Sequence, residues 1–175
     1  MAQRNISTSP RIRWDVDPEN TTIEFAIGKS PLHRVSGRFH GAHGWVITSG
    51  GRVSEALIQV EIQAATIDTR SKLRDWHLRT SQFLAVKRFP TILFASTRVE
   101  DHGSDGVRVF GDLTIRDITQ EVVLEAQVEH DDDERVRIVA HTMLDRRDFK
   151  IGPKAMGLVV GNDVAVEIAL ELNAR

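Results

Sequence analysis

Residues 107–144 read VRVFGDLTIRDITQEVVLEAQVEHDDDERVRIVAHTML, and apolar side chains alternate with polar ones along most of this stretch. A period of two is typical of a β-strand that buries one face and exposes the other to water. The alternation is interrupted after Ile115 and again in the acidic run at 131–134, which predicts three strands joined by two turns. Strands that follow one another through tight turns pair antiparallel.

The same period extends outward towards both ends of the chain. Further alternating runs lie at 23–27, 35–47, 53–64, 92–96 and 164–172. In the segment 68–88 the period breaks, and Thr69 or Ser71 could cap one short helix that ends before Phe89-Pro90. We therefore predict an all-β fold, a single extended eight-stranded antiparallel β-barrel with one short helix between strands, because closure leaves no strand edge exposed.

The composition is that of an ordinary globular domain. The 175 residues are 41% hydrophobic and 27% charged without a shift in composition, so we expect one barrel domain over 14–175 after a flexible arm at 1–13. A formal net charge of -2 argues against nucleic acid as a partner. Because no run approaches the roughly 20 apolar residues of a membrane span and the polar N-terminus has no signal-peptide pattern, we expect no stable membrane insertion and a cytoplasmic location.

Residues that could support catalysis or bind a metal are sparse. Cysteine is absent, which excludes a thiolate nucleophile and a cysteine-ligated metal. Among the seven histidines, His40 and His43 are three apart on a predicted strand and face opposite sides. Ser71, Asp75 and His77 could form a nucleophilic triad, but no strand-turn-helix nucleophile motif surrounds Ser71. We expect no catalytic residues, no metal site and no cofactor.

The barrel interior is predicted to be apolar, and the sizes of its side chains decide whether it is open or filled. Small residues occupy several inward positions, namely Gly37, Gly41, Ala56, Ala64, Gly111, Ala126 and Ala140. They could leave unfilled volume, or they could permit strand bending and close packing. The larger inward candidates line a tunnel in the first case and form an ordinary core in the second, and they are Phe25, Phe39, Trp45, Ile58, Val60, Ile62, Phe83, Phe94, Val109, Leu113 and Ile138.

Seven short motifs follow one another over 14–172. They are Trp14-x-Val16-Asp17, Ser36-Gly37-x-Phe39, Thr66-Ile67-Asp68-Thr69, Arg74-Asp75-x-His77-Leu78, Phe89-Pro90-x-Ile92-x-Phe94-x-Ser96-Thr97, Gly111-x-Leu113-Thr114-Ile115 and Phe149-x-Ile151-Gly152. In this order they resemble the YceI-like family of polyisoprenoid-binding, lipocalin-like proteins. The resemblance implies an extended antiparallel barrel that holds an isoprenoid or fatty chain along its axis.

The chain departs from the family's pattern at two turns. Asp117 precedes Ile118-Thr119, and Lys150 follows Phe149, at positions where the family often has glycine. Because aspartate tolerates a positive φ better than most residues, we expect the first turn to be preserved.

The predicted helix region is locally basic. Six basic residues within 70–88 accompany one acid, Asp75. If the helix covers one barrel mouth, Arg74, His77 and Arg79 are placed to bind the polar head group of a ligand whose tail lies inside. Alternatively, Arg74 pairs with Asp75 and fixes the helix to the barrel, while the other charges are solvated.

These observations, with the resemblance, predict a protein that binds and carries or sequesters a long-chain amphiphilic lipid in an apolar tunnel. A polyisoprenoid, an isoprenoid quinone or a fatty-acid-like molecule would suit such a tunnel. The alternatives are an enzyme that acts on an isoprenoid lipid, and a structural or interaction module with a filled barrel. The sequence leaves a homodimer open.

Overall fold

The computed structural model describes residues 9–130 and 134–175, except for the side chains of Asp105 and His130. Within these ranges the chain forms ten strands and two short α-helices. The strands are β1 (Arg11–Val16), β2 (Thr22–Ile27), β3 (Val35–Phe39), β4 (His43–Ser49), β5 (Arg52–Gln63), β6 (Thr91–Asp101), β7 (Val107–Ile115), β8 (Ile118–His130), β9 (Arg135–Asp145) and β10 (Asp163–Ala174). The helices are α1 (Lys72–Leu78) and α2 (Met156–Val159).

The strands pair antiparallel, and the sheet closes on itself. β4 to β10 are neighbours in chain order, and one edge of β10 pairs with β9. The other edge of β10 pairs first with β2 and then with β1, which also pairs with β4. β1 and β2 thus share one position in the barrel, and β3 and β4 share the next. The ten segments therefore form the closed eight-stranded antiparallel β-barrel that the sequence predicts.

The two ends of the barrel differ in their connections. α1 lies between β5 and β6, and α2 lies between β9 and β10. Because neighbouring strands are antiparallel, both connections lie at the same end, here named the helix end. The opposite end, named the turn end, carries the β4–β5, β6–β7 and β8–β9 connections.

β1 begins at Arg11, so strand pairing starts three residues before the predicted boundary between arm and barrel. Residues 1–8 of the predicted arm lie outside the described residues. So does most of the acidic turn predicted at 131–134, of which Glu134 is described.

The short helix predicted within 68–88 is confirmed as α1. Ser71 is its N-cap, and Ser71 Oγ accepts a hydrogen bond from the backbone N–H of Arg74 over 3.4 Å. The sequence does not predict α2, because the stretch 146–162 carries no clear period.

The prediction of one continuous strand at 35–47 is wrong. The run divides into β3 and β4 around Gly41, whose φ of 65° lies in the left-handed region that favours glycine. The break shifts the alternation by one residue, so Phe39 faces the interior from β3 but Val46, rather than Trp45, is buried in β4. Such a shift turns every later side chain of the run to the opposite face.

The two turns that depart from the family's pattern both use a left-handed, non-glycine residue. In the turn between Ile115 and Ile118, Arg116 has a φ of 59°, as the first loop residue of a type II′ turn does. The turn is preserved as expected, but its positive φ belongs to Arg116 and not to Asp117. Lys150 has a φ of 52°, which explains why glycine is favoured at that position.

We predict that Gly44→Ala destabilises the barrel more than Gly41→Ala does. A Cβ at Gly44 would collide with the backbone oxygen of Gln59 in β5 and lie 2.9 Å from the Cα of Val60, whereas a Cβ at Gly41 would have no atom within 4 Å. Both glycines have a positive φ, so alanine strains the backbone in either variant, and the overpacking at Gly44 adds about 1–3 kcal/mol. We expect this excess loss at Gly44 in urea unfolding. Equal losses would contradict the close approach of β4 to β5.

Candidate ligand-binding tunnel

The barrel interior contains three cavities lined almost wholly by apolar side chains. The central cavity has a volume of about 150 Å³ and is lined by residues of eight strands, which are β2, β3 and β5 to β10. Thr142 is the one polar lining residue that the described part of the chain contributes to it. Its hydroxyl donates to the backbone oxygen of Val123 over 2.7 Å, so the central cavity offers a ligand an essentially apolar wall.

A further cavity of about 160 Å³ lies on each side of the central one. The helix-end cavity shares six lining residues with the central cavity, namely Phe25, Phe39, Ile92, Ile115, Leu144 and Val166. The turn-end cavity shares four others, namely Ile58, Val109, Ala126 and Ile138. Neighbouring cavities that share walls lie in a line along the barrel axis, and we call this line the tunnel.

Most of the inward candidates chosen from the sequence line the central cavity. The nine that do so are Phe25, Phe39, Ile58, Val60, Ile62, Phe94, Val109, Leu113 and Ile138. Period two brings these residues together, since each lies on the inner face of its strand. Other residues with the same alternation, such as Leu124, Val166 and Ile168, share this wall.

Two candidates lie elsewhere. Phe83, in the connection after α1, lines the helix-end cavity, and its ring meets the imidazole of His77 edge-on at 5.0 Å between centroids. Trp45 lines none of the three cavities; the guanidinium of Arg13 lies 5.9 Å from its ring centroid. The sequence predicts Trp45 in the interior only if the alternation of 35–47 continues without a break, and the break at Gly41 reverses it.

The small inward residues divide between the two interpretations that the sequence leaves open. A Cβ at Gly37 would lie 2.7 Å from Cζ of Phe25, and a Cβ at Gly111 would collide with the ring of Phe94. These glycines therefore accommodate aromatic rings instead of leaving space. Ala126 and Ala140 face each other across β8 and β9, and both line the central cavity. The alanine pair therefore borders unfilled volume of the tunnel, whereas Gly37 and Gly111 do not.

The helix end is held in place by a buried network around Thr69. Asp75, which is 7% exposed, accepts hydrogen bonds from the backbone N–H of Thr69 over 2.8 Å and from its hydroxyl over 2.6 Å. Arg74 donates from Nε to Thr69 Oγ1 and from Nη2 to the Thr69 backbone oxygen, both over 2.8 Å. Both charged side chains thus bind the segment that precedes α1, with Thr69 between them.

The three residues predicted to bind a head group do not line the tunnel cavities. Arg79 donates to the backbone oxygens of Ala65 and Ile67 over 2.9 and 3.1 Å, and His77 is exposed beside Phe83. Arg74 is engaged by Thr69, as described above. These contacts favour the alternative in which the basic side chains fix the helix to the barrel. They do so by hydrogen bonds to Thr69 and to loop carbonyls, and not by an Arg74–Asp75 ion pair.

Among the carboxyl groups with a lowered pKa, those of Asp145 and Asp68 lie at the end of β9 and in the segment that precedes α1. The guanidinium of Arg147, with its backbone N–H, lowers the pKa of Asp145 to about 2. The backbone N–H of Arg70 is the main cause of the lowered pKa of Asp68. Neither carboxyl lines the tunnel, whose one charged lining residue in the described part of the chain is Arg146.

In residues 9–130 and 134–175, no group of three or more histidine, aspartate or glutamate side chains could hold a metal ion. No helix in the same ranges is long and apolar enough to cross a membrane.

The sequence model of the YceI-like domain family matches residues 14–172 of this chain. The chain belongs to the YceI-like family. A UPF0312 protein from Pseudomonas putida is 30% identical over 147 residues, which cover 81% of this chain and 75% of the relative.

Solved structures share the barrel of this YceI-like chain. BcnA from Burkholderia cenocepacia has a TM-score of 0.82 at 18% identity and covers 89% of this chain and 98% of its own. A polyisoprenoid-binding domain from Saccharophagus degradans has a TM-score of 0.74 at 14% identity, with coverage of 93% and 98%. At these identities the likeness concerns the fold, which agrees with the lipocalin-like barrel implied by the sequence motifs.

We predict that Asp75→Ala lowers the free energy of unfolding of this YceI-like domain by about 1–3 kcal/mol, because two buried donors of Thr69 lose their acceptor. The matched control is Asp112→Ala on the exposed face of β7, which should change stability by less than about 0.5 kcal/mol. Chemical unfolding measures both. A loss at Asp75 no greater than that of the control would show that this network does not stabilise the helix end.

Proposed function

We propose that this YceI-like domain binds and carries a long-chain amphiphilic lipid, such as a polyisoprenoid, an isoprenoid quinone or a fatty-acid-like molecule. The observation that carries the proposal is the line of three apolar cavities along the barrel axis. A linear hydrocarbon chain matches that shape better than a compact ligand does. The cytoplasmic location and a homodimer remain predictions from the sequence.

The size and lining of the cavities support this ligand class. A cavity of about 150 Å³ with aliphatic and aromatic walls is large enough to bind benzene, so each cavity suits a short segment of hydrocarbon. Each methylene moved from water into such a site contributes about 0.8 kcal/mol. Affinity can therefore come from tail length, without any reacting group.

A binding role also agrees with the chemistry of the lining. Thr142, the polar residue of the central cavity, already donates its hydroxyl to a backbone oxygen, and no carboxylate or histidine of the described residues lines the three cavities. A general acid or base must reach the reacting atoms by hydrogen bond, and such a group is what an enzyme acting on the lipid would require. The polyisoprenoid-binding description of the Saccharophagus neighbour supports the same ligand class.

Mass spectrometry of an organic extract from the purified protein tests the proposal directly. A long-chain lipid in stoichiometric amount is the expected result. If several preparations carry none, and added polyprenol, isoprenoid quinone and fatty acid all fail to bind, the filled-barrel module replaces the carrier. Chemical conversion of an added lipid would instead identify an enzyme.

We predict that Ala140→Leu abolishes or greatly weakens lipid binding while the barrel stays folded, because the larger side chain enters the central cavity. Ala165→Leu is the matched control, since Ala165 lines an outer-surface groove of β10 with Glu24 and Glu167. Fluorescent-lipid titration measures affinity, and circular dichroism checks the fold. Ala126→Leu fills the same cavity from β8 and serves if Ala140→Leu does not fold. Undiminished affinity in a folded cavity variant would contradict binding in the tunnel.

A further inference from the structure

Arg146 is a buried cation in the wall of the tunnel. It follows β9 directly, is 3% exposed and lines the helix-end cavity. The other side chains around that cavity are apolar, and they include Phe83, Phe149 and Met156. A guanidinium in such surroundings needs partners for its charge as well as for its N–H groups.

The partners of Arg146 are neutral backbone oxygens. Nε donates to the oxygen of Gly161 over 3.2 Å, and Nη1 donates to the oxygen of Ile151 over 2.7 Å. Nη2 is buried and has no hydrogen-bond partner among the described residues. The adjacent carboxylate of Asp145 pairs instead with Arg147, over 2.5 Å. Arg146 therefore keeps an unused donor beside the tunnel. Its guanidinium has no ion pair among the described residues, although the carboxylate of Asp145 interacts with its charge through space.

Burial of a charge without a counter-charge is costly, and a hydrogen bond to an ionised acceptor is stronger than one to a neutral acceptor. A ligand that brings an oxyanion to Nη2 supplies the missing acceptor and a negative charge in direct contact with the guanidinium. A neutral alcohol supplies only an acceptor. The site thus favours a lipid whose head group is an oxyanion.

We propose that Arg146 binds the anionic head group of the lipid, a phosphate or a carboxylate, in the helix-end cavity, with the tail extending through the central cavity towards the turn end. This inference rests on the proposed function and specifies its ligand. It assigns the head group to Arg146, from the irregular stretch after β9, and not to Arg74, His77 and Arg79 of the α1 region.

A second unpartnered atom provides the rival explanation. Asn162 Oδ1 is also buried without a partner among the described residues, and the backbone N–H of Arg146 donates to the Asn162 oxygen over 3.0 Å. Nη2 and Asn162 Oδ1 could satisfy each other directly or through a buried water. In that case the tunnel would bind lipid tails without a preference for charged head groups.

The first experiment uses the wild-type protein and two pairs of probes that differ only in the head group. One pair is a polyprenyl monophosphate and the polyprenol of the same length; the other is a long-chain fatty acid and its methyl ester. We expect the anionic member of at least one pair to bind about tenfold or more tightly than the neutral member. The pair that shows the preference distinguishes phosphate from carboxylate.

The outcomes for the two proposals are separable. If neutral and anionic members of both pairs bind equally well, the head-group inference is overturned while lipid carriage stands. If no probe binds, the proposed function itself fails.

Variants then assign the preference to a residue. Arg146→Met should bring the ratio of anionic to neutral affinity close to one, and Arg146→Lys should retain part of it because the charge is kept. Lys154→Met is the matched control, since it removes the same charge from an exposed position in the same connection between β9 and β10. Arg74→Gln and Arg79→Gln test the region predicted from the sequence. A ratio that survives in folded Arg146→Met, or that is lost only in the α1 variants, would overturn the assignment.

Arg146 also holds Gly161 and Ile151, so its variants require thermal melts and circular dichroism as checks on folding. If neither variant folds, a crystal structure of the wild-type protein with the preferred anionic probe decides the assignment. The expected result places a head-group oxygen within hydrogen-bond distance of Nη2. A head group at the turn end, or at the surface of α1, would contradict it.

Discussion

The pairing of β10 with β1 closes the sheet, and the other features of the molecule depend on that closure. Three residue pairs, from Trp14–Ala174 to Val16–Leu172, join the beginning of the barrel to its end. Without them β1 and the C-terminal part of β10 would each have an open edge, exposed to water and to edge-to-edge association. With them, the inward side chains of all strands share one interior, and an apolar tunnel becomes possible.

The interior is a compromise between close packing and open volume. Phe25 and Phe94 lie over Gly37 and Gly111, so aromatic rings occupy the room that a missing side chain would otherwise leave. Between β8 and β9 the facing pair Ala126–Ala140 brings no such ring, and the central cavity extends there. The same barrel therefore contains filled and unfilled layers, and residue size alone does not distinguish them.

The helix end holds two buried charges that are satisfied in different ways. Asp75 has its hydrogen bonds supplied by Thr69, and this arrangement anchors α1. Arg146 retains Nη2 without a partner among the described residues beside the tunnel wall. Asp75 belongs to the framework of the barrel end, whereas Arg146 is the residue that we propose to bind a ligand. In the proposed function, electrostatic complementarity at this end would determine which head groups bind, and tail length would determine how tightly the lipid binds.

The sequence by itself determined the eight-stranded antiparallel barrel, the place of α1 and most of the inward residues, because a period of two is a local property that one buried face imposes on each strand. It did not determine that ten segments build this barrel, with β1 and β2 sharing one position and β3 and β4 the next. The sequence did not determine which residues of β4 face the interior. The break at Gly41 reverses the alternation, so Val46 is buried and Trp45 faces away from the interior. Nor did the sequence identify Arg146, which lies in a stretch without a period, or the carbonyl partners of Arg79. Only the tertiary structure decided these points, because cavities, buried donors and their acceptors arise from residues that are distant in sequence and meet only when the barrel closes.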